Sequence, residues 1–301
     1  MSVTLPEVRV GEPLHYKSMS VFPLFADTNG GVNYRLAADA IADNSVVVEE
    51  VSEGGSVPEL LVENKGDTRV LFIEGEELIG AKQNRILNTS ILIAAGMKTR
   101  IPVSCVEQGR WSYKSKQFGS SGSHSSSKMR HALKKSVSQS AKAGQGHKSD
   151  QGEVWEEVDS LLCRMGSASS SAAMSAAYED RQDDISEYKD KLKYIDGAQG
   201  MAVAVGNKVL GFDLFDKPET CSKVWDRILS GSVMDALSGS ADKTEVTVSD
   251  VEKLIGSSAG SDWQQVDAVG EGDEYRAEID KDHGSALTLT GTLVHESVVA
   301  G

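Results

Sequence analysis

With 301 residues, 39% of them hydrophobic and 25% charged, the chain is long enough to bury at least one sizeable core, and two lobes are the reasonable expectation. A formal charge of −14 argues against general affinity for nucleic acid or for an anionic membrane surface, because the summed field repels phosphate. The apolar runs are too short to cross a bilayer, and the opening MSVTLPEVRVGEPLHYK lacks the basic flank and apolar block of a signal peptide, so a cytoplasmic protein is expected.

Residues 1–111 read as a strand-rich lobe. SVFPLF (20–25), SVVVEEV (45–51), PELLVEN (58–64), RVLFIEG (69–75), LNTSILIAA (87–95) and TRIPVSCVE (99–107) are strand-like in residue type and separated by turn residues. YRLAADAIADN (34–44) is the helical exception. Short strands at this spacing predict an antiparallel sheet or sandwich, a jelly roll being one such arrangement.

Residues 112–148 form a Ser/Lys-rich excursion. From Gln108 to Ser149 there are nine Lys or Arg and no Asp or Glu, so subtraction leaves roughly −23 for the rest of the chain. Such a basic segment suits an anionic small molecule, and it equally suits a solvated loop. SSGSHSSSK (120–128) is its most linker-like part. Met129, Leu133 and Val137 nevertheless predict a short helix over 127–141.

Residues 149–301 read as a second, α+β lobe. In SDQGEVWEEVDSLLCRMG, Asp150 is placed to cap a helix with Glu153 at its third position, and Gly166 closes it. A second helix is predicted over 171–193. MAVAV and KVLGFDLF are strands joined by a Gly206-Asn207 turn. Asp216 and Glu219 repeat the capping pattern before a helix whose buried face is Val224, Trp225, Ile228, Leu229, Val233 and Leu237. After a Ser/Gly-rich interval come a short helix at 248–256 and strands at 265–269, 274–279, 285–290 and 292–299. The fold class expected is α+β.

The chemistry concentrates in GEELIGAKQNRILNTSILIAAGMKTRIPVSCVEQGRW (75–111). Alternation along a strand puts Glu74 and Glu76 on one face, where two carboxylates share a proton or a cation, and Lys82 and Arg85 are placed to neutralise them. This is an acid/base or anion-recognition cluster, or else a salt-bridged rim. Lys82, Gln83, Asn84, Arg85 and Asn88 supply donors, acceptors and a planar guanidinium fork between two apolar strands. Buried there, each must find a partner or cost about 1–3 kcal/mol. Cys105 sits beside Glu107 and Arg110, but without an HCxxxxxR loop it reads better as a small buried thiol than as a nucleophile. Ser149, Asp150 and Gln151 lie at a positive helix end, which suits an anion as well as it suits a simple cap. Asp213 ends a strand and is a further residue for a cleft.

Other chemistries are disfavoured. The three cysteines Cys105, Cys163 and Cys221 include no CxxC pair and are expected as thiols. The six histidines have no HxH or HExxH spacing, so no metal is expected, and no particular cofactor is indicated. GxGxxG, GxxxxGK[ST] and GxSxG motifs in their required contexts are absent.

EGEELIGAKQNRILNTS (74–90), IPVSCVEQGRW (101–111), SDQGEVWEEV (149–158) and VLGFDLFDKPET (209–220) together resemble one family, spread across most of residues 15 to 240. It is the bacterial and archaeal family named for association with ADP-ribosylglycohydrolases and the rhodanese-phosphatase superfamily. The resemblance implies genomic company with enzymes of ADP-ribose and phosphate-ester chemistry; it does not imply a reaction. The final strands match more loosely and receive no function from it.

The reading that follows is a protein that binds or processes a nucleotide-like anion, such as an ADP-ribose derivative, in a cleft between two lobes. Its acid/base candidates are Glu76, Glu107 and Asp150. Its ligand-contacting candidates are Lys82, Gln83, Asn84, Arg85, Asn88, Arg110, Trp111, Ser149 and Gln151. The carboxylates permit an enzyme without demanding one. The alternative is a non-catalytic scaffold whose polar motifs are structural and whose Ser/Lys excursion docks a protein partner. The two separate on whether Glu76, Arg85, Glu107, Arg110 and Asp150 converge on one pocket, as most are expected to do.

Overall fold

The computed structural model describes residues 3–28, 30–239 and 246–301; part of the Ser/Gly-rich interval after α6 lies outside them. The first strands are β1 (Val8–Val10), β2 (Leu14–Tyr16), β3 (Met19–Ala26) and β4 (Tyr34–Leu36), followed by helix α1 (Ala37–Ala42). Next come β5 (Val46–Glu50), β6 (Glu59–Asn64), β7 (Arg69–Phe72), β8 (Glu76–Gly80), β9 (Arg85–Leu87), β10 (Ile91–Ile93), β11 (Lys98–Cys105) and β12 (Phe118–His124). Four helices follow: α2 (Ser127–Lys142), α3 (Gln151–Met165), α4 (Met174–Asp180) and α5 (Gln182–Lys191). The chain then forms β13 (Gly200–Val205), β14 (Lys208–Phe215), α6 (Pro218–Ser238) and α7 (Val248–Ala259). It ends in β15 (Gln264–Val266), β16 (Asp273–Ile279), β17 (Asp282–Leu289) and β18 (Thr292–Val299).

The fold is α+β, and its pairing is antiparallel except where β4 runs parallel to β7. A nine-stranded sheet has the order β1-β3-β13-β14-β18-β17-β16-β15, with β2 also on β3. A six-stranded sheet runs β12-β8-β9-β11-β6-β5, and a three-stranded one β10-β7-β4. Strands of the first and last thirds of the chain therefore share one sheet: Leu24 of β3 lies opposite Gly200 of β13. Apolar side chains of α2 to α6 pack with one face of the large sheet, Trp225 being fully buried with its indole N–H on the Leu192 carbonyl at 2.8 Å. A second apolar cluster joins Val46, Val48, Leu60 and Val62 to Phe72, Leu87 and Ile101 of the smaller sheets. A third lies on the opposite side of the large sheet with α7. Among the described residues no helix is long and apolar enough to cross a membrane.

Asp150 caps α3 as expected: it accepts from the amides of Gly152 at 2.9 Å and Glu153 at 3.2 Å, and Gly166 closes the helix at φ 65°. The helix predicted over 127–141 is α2, and the Gly206-Asn207 turn joins β13 to β14.

Four local readings need correction. Tyr34 to Leu36 is a strand, because Tyr34 and Leu36 are buried around a half-buried Arg35, a period of two that the following Ala-rich helix obscures. The helix expected over 171–193 breaks at Arg181, whose guanidinium donates to the Met165 carbonyl at 2.6 Å. Asp216 is no cap; Lys217 holds that position without a side-chain bond, while Asp216 is buried and accepts from the Tyr34 hydroxyl. The linker-like SSGSH becomes β12, paired with β8 from Phe118 opposite Gly80 to His124 opposite Glu76. α1 and α6 both pack against this strand.

Candidate functional site

The turn between β8 and β9 brings most of the polar residues of the GAKQNR run together. Gly80 has φ 123°, and a Cβ there would lie 2.5 Å from the Ser115 hydroxyl oxygen, so glycine is required. Glu107 and Arg110 clamp this turn. Arg110 donates through Nε and Nη2 to Glu107 at 2.9 and 2.6 Å, and also to the carbonyls of Gly80 and Ala81. Glu107 further accepts from the Asn84 amide at 3.0 Å and the Ser171 hydroxyl at 2.8 Å. Burial opposes its ionisation, but Arg110, Ser171 and the Asn84 amide outweigh that and hold its pKa below the ordinary value.

Gln83 sits behind the clamp. Its amide donates to the Glu107 carbonyl at 3.0 Å, while its oxygen accepts from Arg85 Nη1 at 3.1 Å and from the Cys105 thiol at 3.2 Å. Arg85 is 0% exposed. Its Nε and Nη2 have no hydrogen-bond partner among the described residues, and the nearest carboxylate oxygen, Glu50 Oε1, stands 3.9 Å from Nη2. Glu50 Oε2 is likewise without a hydrogen bond. Burial depresses the pKa of Arg85, with Cys105 and Glu50 acting against the shift. Over the guanidinium lies Trp111, 5.6 Å from ring centroid to Cζ. Lys82 Nζ stands 5.3 Å from the Trp111 ring and 5.1 Å from that of Tyr113. Both aromatics are exposed, at 46% and 53%. Beside them a cleft of about 870 Å³ is lined by Glu49, Glu50, Glu53, Tyr113, Lys114 and Lys116 among others, a size that suits a small-molecule ligand.

The five residues that separate the two readings do not all meet. Arg85, Glu107 and Arg110 gather around Gln83 and Asn84. Glu76 instead pairs with Arg227 of α6 at 2.7 Å, and Asp150 serves as the exposed cap of α3. Lys82 and Arg85 do not neutralise Glu74 and Glu76: Lys82 Nζ donates to the carbonyls of Glu53 at 2.5 Å and Gly54 at 2.9 Å. Gln151 closes both backbone groups of Cys105 with two 2.8 Å bonds, and Ser149 meets Ser104 at 2.5 Å. Glu77, 1% exposed, has no hydrogen bond of ordinary geometry. Burial pushes its pKa up to about 8, although Ser121 and Asn84 lie close enough to pull it down.

A second polar region runs inward from Asn88. Its amide donates to the His147 carbonyl at 2.9 Å and its oxygen accepts from Ser104 at 2.6 Å. Thr89 donates to Glu274 at 3.0 Å, where Arg276 and His147 also bind. Ser90 meets His295 Nδ1 at 2.8 Å, and His295 Nε2 lies 3.1 Å from Asp213. Asp213 is gripped by both terminal nitrogens of Arg130 at 2.9 and 2.6 Å, and Glu74 takes Lys134 and Ser285. Although Ser90, His295 and Asp213 form a hydroxyl–imidazole–carboxylate line, the imidazole is buried and stacked on Phe215 at 4.6 Å. Burial opposes ionisation of Glu74, but Lys134, Arg130 and Arg276 hold its pKa at about 2; Arg130 and His295 hold Asp213 well below its ordinary value in the same way.

Among the described residues, no group of three or more His, Cys, Asp or Glu is placed to hold a metal ion. Sequence reasoning missed Glu50 and Tyr113. Glu50 closes an apolar strand and reads as a solvated end, and the pairing that carries it to Arg85 is non-local. A family model described as the ARG and Rhodanese-Phosphatase-superfamily-associated Protein domain matches residues 7–299. No curated protein and no solved structure matches the chain.

Proposed function

The chain belongs to the ARG and Rhodanese-Phosphatase-superfamily-associated Protein family, and from that premise we propose that it binds a nucleotide-like anionic small molecule in the cleft beside Trp111 and Tyr113. One observation carries the reading: a fully buried guanidinium, Arg85, keeps Nε and Nη2 without hydrogen bonds beneath an exposed tryptophan. An unpaired buried donor costs about 1–3 kcal/mol, more when charged, and a ligand that takes the bond recovers it. Tyr113 and Trp111 offer faces for a base, and Lys82, Lys114 and Lys116 offer charge for phosphate. An ADP-ribose derivative has both parts. Glu107 and Arg110 act here by holding the 80–84 turn in place rather than by touching ligand.

Calorimetric titration of ADP-ribose into the wild type, Trp111→Ala and Arg85→Ala tests this. Saturable binding that weakens in both variants, with thermal melts confirming that they fold, supports the proposal. No binding by the wild type ends it.

A second reading, a non-catalytic scaffold, is favoured by the internal partners that Gln83, Asn88, Ser149, Gln151 and Asp150 already possess. It gains if Gln83→Ala and Asn84→Ala lower stability strongly while the titrations stay flat.

A further inference from the structure

We infer that Glu50 and Arg85 form a subsite for a sugar hydroxyl pair, closed by Trp111, so that the ligand of this cleft is recognised by a vicinal diol and not by its phosphate alone. The inference rests on the proposed binding site and adds to it the group that site selects.

Buried groups of opposite charge keep atoms without hydrogen bonds at this point. Arg85 offers Nε and Nη2 as donors, Glu50 offers Oε2 as an acceptor, and both side chains are buried. With Glu50 Oε1 only 3.9 Å from Arg85 Nη2, a hydroxyl oxygen seated to one side of the line joining them, about 2.8 Å from each, meets both. A fully ionised phosphate oxygen satisfies the guanidinium but repels the carboxylate. An ammonium does the reverse. A hydroxyl accepts from one and donates to the other, and two adjacent hydroxyls use the paired geometry of a carboxylate and a guanidinium fork.

The rest of the cleft agrees. Its lining sets Glu49, Glu50 and Glu53 against Lys114 and Lys116, a balance that does not suit a bare polyanion. It does suit a ligand with hydroxyls at one end and phosphate at the other. Trp111 supplies the cover, since it lies over Arg85 and beside Lys82 while keeping 46% of its surface exposed. A Cβ on Gly55 would stand 3.1 Å from the Trp111 ring and 3.2 Å from Glu50 Oε2, so the 50–55 turn also closes on this point. Because the orphan atoms are buried, entry of a ligand requires a covering group to move, and Trp111 is the exposed side chain over Arg85.

The test compares ribose 5-phosphate with 2-deoxyribose 5-phosphate by calorimetry on the full chain. The wild type is expected to prefer the diol by about tenfold or more, as sites built to bond a hydroxyl do, and Glu50→Gln is expected to lose most of that preference. Equal binding of the two sugars by the wild type overturns the diol subsite while leaving anion binding in the cleft intact, and this arm needs no variant. A preference that survives in a folded Glu50→Gln overturns the assignment to Glu50. If ADP-ribose and both sugar phosphates fail to bind, the site and its subsite fall together.

Discussion

The polar region around Asn88, Thr89 and Ser90 and the one around Arg85 lie within a few residues of each other in sequence, yet they differ in how their buried carboxylates are paired. In the first, Glu74, Asp213 and Glu274 each hold a cation and at least one further donor, and of these charged groups only the guanidinium nitrogens Arg130 Nε and Arg276 Nη1 go without a hydrogen bond among the described residues. In the second, Arg85, Glu50 and Glu77 all keep atoms without a hydrogen bond among the described residues, two of these groups being carboxylates. A buried network whose carboxylates are all paired fixes how segments distant in sequence meet. A buried site with unfilled donors and acceptors stores a cost that binding recovers. The candidate site is the region around Arg85, where unfilled donors and an unfilled acceptor lie under an exposed tryptophan beside a cleft, although the other region contains more charge.

The largest expected effect breaks the region of paired carboxylates. Asp213→Ala strands Arg130, whose other carboxylate, Glu74, is 3.8 Å away, and removes a partner from His295. Removing one member of a buried pair costs about 3–5 kcal/mol, to be read from urea unfolding at neutral pH. A loss below about 1 kcal/mol would show the network to be dispensable. The same groups set the acid limit. Glu74 has a folded pKa of about 2 and Asp213 lies well below its ordinary value, so the unfolded chain binds more protons between about pH 4 and 2. Their stabilisation is present above that window and is lost as pH falls through it.

Glu77 gives the opposite sign and the next largest effect. Its folded pKa of about 8 lies above the unfolded value, so stability is undiminished below about pH 4 and falls as pH rises toward 8. Glu77→Gln keeps the shape and removes the ionisation. It is expected to match the wild type in thermal melts at pH 4 and to exceed it by on the order of 2 kcal/mol at pH 8. An advantage equal at both pH values would mean that the carboxyl is not held protonated.

How much of this was legible in sequence follows the range of the forces involved. Asp150, Gly166 and the Gly206-Asn207 turn act within a few residues, and each does what its local chemistry predicts. β12 was not legible, since nothing in SSGSH favours a strand until the edge of β8 and the approach of α1 and α6 are supplied. Asp216 looks like a cap by spacing but is claimed by Tyr34, 182 residues away. At the site, the convergence of Gln83, Arg85 and Cys105 could be suspected from polar residues between apolar strands. That Glu50 would face Arg85, and that Glu76 would leave for Arg227, depend on strand and helix packing that no local pattern encodes.

Asp150→Ala tests the boundary between local and functional readings. It removes two amide bonds at the start of α3 and is expected to cost about 1 kcal/mol in urea unfolding. Titration of ADP-ribose should be unaffected, because Asp150 is exposed and caps the helix instead of joining Arg85. Weakened binding would extend the site to the helix end.

Trp111→Ala carries the smallest expected effect on stability. The ring is 46% exposed and its neighbours are Lys82 and Arg85, a cation–π arrangement worth about 0.5–1 kcal/mol at exposed sites. Opposing that loss, its removal admits water to the unpaired Nε and Nη2 of Arg85 and to Oε2 of Glu50, which relieves part of their burial cost. The two changes offset, so thermal unfolding should shift by no more than about 0.5 kcal/mol in either direction. Binding has no such compensation, because the ligand loses its cover and competes with water for the same atoms. A variant that melts like the wild type and no longer binds sugar phosphate would assign Trp111 to the ligand; one that melts much lower would return the whole cluster to the structural side of the comparison.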